Sequence, residues 1–88
     1  MRDIHQVYLI SDSTGETLDR IFLALQSQFS DFKYKIHHYS FIRTKNQLLK
    51  VLDLCNNSSG CIILYTIVDD SLSKFLIDET QRLNIPCF

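Results

Sequence analysis

The chain has no tryptophan, one proline, two glycines and one methionine among 88 residues. Its glycines, Gly15 and Gly60, open neither a G-x-G-x-x-G fingerprint nor a G-x-x-x-x-G-K-[ST] loop. A dinucleotide crevice and a P-loop therefore have no sequence support. A basic excess is also missing: nine Lys and Arg face ten Asp and Glu, for a net charge of −1. That balance gives no electrostatic case for nucleic acid. No apolar stretch approaches the length of a membrane span. The N-terminus carries Asp3 and His5 and lacks the apolar run of a signal peptide, so the expected location is the cytoplasm. Cys55, Cys61 and Cys87 are odd in number and form no C-x-x-C. Reduced, buried thiols are expected of them, not a disulfide or a metal site. His5 is isolated. The neighbours His37 and His38 would face opposite sides of a strand. No metal-ligand spacing and no Ser–His–Asp arrangement can be assembled, and repeats and low-complexity tracts are absent.

What is present is a globular composition, 45% hydrophobic and 22% charged, in a chain long enough for at most one small domain. Strand-like and helix-like runs alternate. Ile4 to Ile10 reads as a first strand. Thr17 to Phe29 places Leu18, Ile21, Phe22, Leu25 and Phe29 at helical spacing, with Ser13 and Glu16 spaced as a capping box at its start. Lys33 to Phe41 reads as a second strand whose alternation slips at His37-His38. Lys45 to Asn56 reads as a second helix, with Leu48, Leu49, Leu52 and Cys55 inward and Thr44 and Gln47 as its capping box. Asn57-Ser58-Ser59-Gly60 is a turn. Cys61 to Ile67 is nearly all apolar, as suits a parallel strand covered on both faces. A third helix runs from Asp69 or Asp70 to Leu83, with Leu72, Phe75, Leu76 and Leu83 inward, Asn84 as its C-cap and Pro86 as its stop. Ile85 to Phe88 begins a further strand. The expected fold is α/β, a parallel doubly wound (flavodoxin- or Rossmann-like) βαβαβα start broken off at a fourth strand.

Parallel strands end on one edge of their sheet, and open α/β sheets bind ligands there. Ser11, Asp12, Ser13, Thr14, Gly15, Arg43, Thr44, Thr66 and Asp69 are expected to converge on that edge. The hydroxyl-rich loop Ser11 to Thr17 precedes a helix, where unpaired backbone N–H groups and the helix dipole favour an anion. A cradle for phosphate or a phosphorylated side chain is one reading. The other is that Ser13 caps the helix and Gly15 eases the turn. Asp12 and Glu16 oppose an anion there, although a carboxylate among hydroxyls also serves as a base or holds a cation. Arg43 is the one basic residue expected at the edge, and its fork suits phosphate; a solvated arginine before a helix is the plainer alternative. Helix capping alone accounts for Asp69.

Four segments together carry a resemblance: Tyr8 to Thr17, Phe41 to Thr44, Leu64 to Asp69, and Leu83 to Cys87. In order and spacing the chain resembles the start of the bacterial regulatory proteins of pyruvate, phosphate dikinase and of phosphoenolpyruvate synthase. The resemblance implies a bifunctional serine/threonine kinase that phosphorylates a threonine of its target from ADP. It also implies phosphorolytic removal of that phosphate, with release of pyrophosphate. Family members are much longer, and their nucleotide loop lies beyond the equivalent of Phe88. The chain is thus expected to be a single incomplete α/β domain over residues 1–88. No catalytic residue and no cofactor are assigned to it, since ADP and phosphate sit outside it in the family. Inactivity alone and self-association are further expectations. A flavodoxin-like flavin-phosphate module is the alternative on Thr14-Gly15-Glu16-Thr17. Against it stand Asp12 in place of a hydroxyl, the lack of tryptophan, and no aromatic residue in the Thr66–Asp70 loop to stack on a flavin. A non-functional gene remnant is the other alternative.

Overall fold

The computed structural model describes residues 5–27, 34–57 and 60–88. Three strands and three helices alternate: β1 (His5–Ser11), α1 (Glu16–Gln26), β2 (Tyr34–Tyr39), α2 (Lys45–Asn56), β3 (Cys61–Thr66) and α3 (Asp70–Leu83). The strands form one parallel sheet in the order β2-β1-β3, with Val7 beside Ile36 on one flank and Ile62 on the other. This is the doubly wound α/β arrangement. Against one face, α1 sets Leu18 and Phe22 on Val7 and Leu9. Against the other, α2 and α3 bring Leu48, Val51, Leu52, Leu72 and Leu76 onto Tyr8, Ile10 and Ile63. Alternate residues of β1 thus serve opposite layers, as a strand's two-residue period requires.

Some expected boundaries and faces shift. Helix α1 starts one residue early, and Phe29, its expected last residue, lies outside the described residues, as do Ile4, Lys33, Ser58 and Ser59. Ile21 is 45% exposed, because Leu18 and Phe22 point at the sheet and Ile21 lies to one side of them on the helical wheel, about 100° from Phe22. In α2 the buried stripe is Leu48, Val51, Leu52 and Cys55. Leu49, expected inward, is 44% exposed, one residue off that stripe. Strand β2 ends at Tyr39, not at Phe41. His37 and His38 keep the strand's alternation: His37 stacks on Tyr8 with ring centroids 4.5 Å apart, while His38 Nδ1 lies 3.2 Å from Asp19 on α1.

The cysteines also depart from expectation. Cys55 and Cys61 are buried as foreseen, yet they pair as a disulfide, with Cα atoms 6.0 Å apart. The last turn of α2 and the first residue of β3 share one face of the sheet. The turn through Gly60 folds them back onto each other. Asn84 takes the left-handed C-cap conformation that ends α3. Beyond it, the segment Pro86–Phe88 lies beside β3: Ile63 N–H donates to Pro86 O at 2.9 Å, and Phe88 N–H to Ile63 O at 2.9 Å. A fourth parallel position is thereby occupied at the edge away from β2.

Candidate functional site at the strand ends

The three loops that leave the strand ends are tied to one another. Ser11, the last residue of β1, is 2% exposed; its hydroxyl accepts from Ser13 N–H at 3.1 Å and lies 3.4 Å from the Thr66 hydroxyl on β3. From the β2 side, Ile42 N–H donates to Ser11 O at 2.9 Å and Phe41 N–H to Ser13 O at 3.0 Å. Ser40 donates its hydroxyl to Thr14 O. From the β3 side, Val68 N–H donates to the Asp12 carboxylate at 2.8 Å. The β1–α1 loop thus serves as the keystone between the other two, and the expected convergence of Ser11, Asp12, Ser13, Thr14, Arg43 and Thr66 is present.

Several of these groups are consumed by the fold. Thr44 caps α2 in a full capping box with Gln47. Asp69 caps α3 by accepting from Leu72 N–H at 2.9 Å. Each such cap is worth about 1 kcal/mol, enough to account for its residue without a ligand. At α1 the capping box expected of Ser13 and Glu16 is replaced. Gly15 precedes the helix and its carbonyl accepts from Asp19 N–H at 2.9 Å, while the Ser13 hydroxyl lies 3.3 Å from that of Ser11. Gly15 has φ +84, and an added Cβ would meet only ordinary contacts. The need for glycine is therefore one of backbone sign, not of space.

Arg43 is not consumed. Its side chain is exposed, its Nε donates to Asp12 O at 3.0 Å, and its guanidinium carbon sits 5.3 Å from the centroid of the Phe41 ring. Both terminal amino groups are without a protein partner among the described residues. The Asp12 carboxylate is engaged on the β3 side by Val68, so Arg43 meets the loop through a carbonyl and its charge is not paired there. A guanidinium fork held at one edge and open at the other is suited to a phosphate or carboxylate. Sequence reasoning missed Phe41 and Val68. Phe41 is a non-glycine residue at φ 58 and is 51% exposed, and Val68 is 86% exposed. Val68 had no local signal, since its contact with Asp12 comes from a distant loop, and the backbone of Phe41, two residues before Arg43, is likewise turned by the distant Ser13 carbonyl.

A groove of about 430 Å³ lies at the opposite end of the sheet, lined among others by Cys55, Cys61, Leu83 and Ile85. No charged side chain lines it; its polar side chains are the amides of Asn56 and Asn84. Among the described residues no three His, Cys, Asp or Glu side chains gather as a metal site, and no helix is long and apolar enough to cross a membrane.

Comparison with known proteins adds the family. The chain is 53% identical over 88 residues to a protein of Pelagibacter ubique named "Putative pyruvate, phosphate dikinase regulatory protein", which covers all of this chain and 32% of that protein. Proteins of the same name from Alkaliphilus oremlandii and Geobacter metallireducens are each 41% identical, over 91% and 89% of this chain. The chain spans between 28% and 32% of the length of these relatives. The model of the kinase/pyrophosphorylase family matches residues 7–88, and the chain belongs to that family.

Proposed function

We propose that this chain forms the N-terminal part of a cytoplasmic regulator that switches pyruvate, phosphate dikinase or phosphoenolpyruvate synthase by reversible threonine phosphorylation. The kinase direction takes its phosphate from ADP, and the reverse direction is phosphorolysis releasing pyrophosphate. Residues 1–88 supply an incomplete α/β domain; ADP is held by a segment outside them. Within that enzyme the strand-end edge is the phosphate- or substrate-facing surface, with Arg43 as its charged contact and the Ser11–Gly15 loop as its frame. One observation carries this reading: the Arg43 guanidinium is anchored through Nε and left open at both terminal amino groups. In this reading Asp12, Thr44 and Asp69 build the edge; they do not act on the phosphoryl group.

The test grafts this chain onto the remainder of the Pelagibacter ubique relative and follows label from ADP onto purified dikinase. The graft transfers label, and the 88-residue chain alone does not, because no phosphate loop lies within it. Arg43→Ala in the graft lowers the rate roughly ten- to a hundredfold, the loss of one charge-assisted contact. Arg43→Lys restores part of it, since lysine keeps the charge and not the fork. Equal rates for the parent and Arg43→Ala grafts, in label transfer at low dikinase concentration and in phosphorolysis at low phosphate, would move the phosphate-facing group off this edge. Turnover by the chain alone would place nucleotide chemistry inside it.

A further inference from the structure

We infer that Phe41 is a positioning residue: its ring and its left-handed backbone hold the Arg43 guanidinium in place for an oxyanion of the phosphate class. This rests on the reading of Arg43 above.

The first observation is conformational. Phe41 sits at φ 58, a region that a bulky L residue enters at a cost. The conformation is kept by two backbone bonds, Phe41 N–H to Ser13 O at 3.0 Å and Ile42 N–H to Ser11 O at 2.9 Å. Glycine or asparagine would adopt it more readily. The second observation is that core packing does not explain the ring, which is 51% exposed. The third is what the ring touches. The Arg43 guanidinium carbon lies 5.3 Å from its centroid, and Arg43 Nε is fixed 3.0 Å from Asp12 O.

A face contact and an edge hydrogen bond together define the plane of a guanidinium. A free arginine loses its rotamer freedom when it grips an anion; one already stacked loses less. Cation–π attraction supplies the hold, and it survives solvent exposure. The strained backbone at Phe41 turns the chain so that residues 41 and 43 share one side of the edge. A strained residue beside an unpaired cation is where a functional constraint is expected.

The test uses the 88-residue chain, uniformly labelled with 15N, at low protein concentration, so that the backbone amides of Ser11 to Gly15 report phosphate binding even where Arg43 is replaced. The sequence has four arginines, so the Nε–Hε signals are few enough to assign by variant. Inorganic phosphate, then pyrophosphate, is titrated into the parent chain and into Phe41→Gly, Phe41→Tyr and Arg43→Ala. Glycine suits a positive φ, so Phe41→Gly removes the ring while easing the backbone and leaves the thermal midpoint level or raised. In the parent, the Arg43 Nε–Hε signal lies upfield of its position in Phe41→Gly, where the shielding ring is gone and the bond to Asp12 O is kept, and it moves on phosphate addition. In Phe41→Gly phosphate binding weakens about two- to fivefold. Phe41→Tyr keeps both the shifted signal and the affinity. Unchanged affinity and an unchanged signal in Phe41→Gly overturn the positioning role. If Arg43→Ala still abolishes the phosphate response in that case, the function proposed for Arg43 stands without it. A parent signal that ignores both phosphate and pyrophosphate sinks the reading of Arg43, and this inference with it.

Discussion

Tyr39 and Cys87 are the two side chains of the sheet whose protonation the fold resists changing. Burial pushes the Tyr39 phenol above its ordinary 10.0, helped by the neighbouring Tyr8. Burial pushes the Cys87 thiol above its ordinary 9.0, and a hydrogen bond with Thr80 offsets part of that rise. Both groups are neutral when protonated. A raised folded-state pKa means that the unfolded chain ionises first as pH rises. The stabilisation is therefore complete below the unfolded pKa values and is lost on going alkaline through the folded ones. The thermal midpoint should fall steadily between about pH 8 and pH 11, cysteine titrating before tyrosine. Cys87→Ser should flatten the first part of the fall, around pH 9, and leave the later part. A parent midpoint that stays level across this range would show that neither group is ionised preferentially in the unfolded chain. The pair Glu79 and Arg82 shifts in the stabilising sense for both partners, yet it lies at the surface and adds little.

At the level of elements, periodicity carried what could be read in advance, and tertiary contacts decided the rest. The near-continuous apolar run of β3 and the Asn84 stop of α3 are local patterns, and each lies where its pattern puts it; the apolar stripe of α2 does so except that Val51 is buried in place of Leu49. The end of β2 is not local. Phe41 reads as a strand residue, but the carbonyls of Ser11 and Ser13 draw its backbone off the ladder and over the β1 loop. The spacing of Ser13 and Glu16 is that of a capping box, but Ser11 competes for the Ser13 hydroxyl and Gly15 takes the position before the helix. For the site, topology alone brought Arg43 to Asp12. What it could not give is that Arg43 bonds a carbonyl 31 residues away, or that Val68 holds the Asp12 carboxylate across 56 residues.

The α2–β3 connection shows the same limit. Burial of Cys55 and Cys61 follows from the pattern, and their pairing follows only from the turn between them. A disulfide closing so short a loop contributes about 2 kcal/mol by chain entropy. Reduction of the purified chain should lower its unfolding free energy by about that amount. The double variant Cys55→Ser, Cys61→Ser should not respond to reductant. Equal stability with and without reductant in the parent would mean that the two sulfurs stand as free thiols in solution.

For the molecule as a whole, size and edges set the behaviour of the isolated chain. A domain of this length buries roughly 60–65% of the surface its unfolded chain exposes, so its margin of stability is small. Among the described residues the sheet has two outer edges, β2 and the Pro86–Phe88 segment. The latter carries Phe88 at 72% exposure. Proline and charged residues are the usual means of blunting an edge. Pro86 does this in part, for it has no N–H to offer, but the side chains of Cys87 and Phe88 carry no charge. Exposed Leu23, Leu54 and Val68 add apolar surface away from that edge. The chain should therefore self-associate reversibly. Its sedimentation coefficient should rise with concentration, and denaturant unfolding should report a stability of about 3–5 kcal/mol at most. Phe88→Lys places a charge on the outer edge and removes the exposed ring without touching the core, so it should shift the association to higher concentration while leaving the unfolding free energy of the monomer nearly unchanged. If Phe88→Lys associates as strongly as the parent, the contact runs through β2 or the helical surfaces instead. If the parent sediments as a monomer at every concentration, the backbone groups at both edges are adequately satisfied by water, and the apolar surface there is too small to overcome the entropy of association.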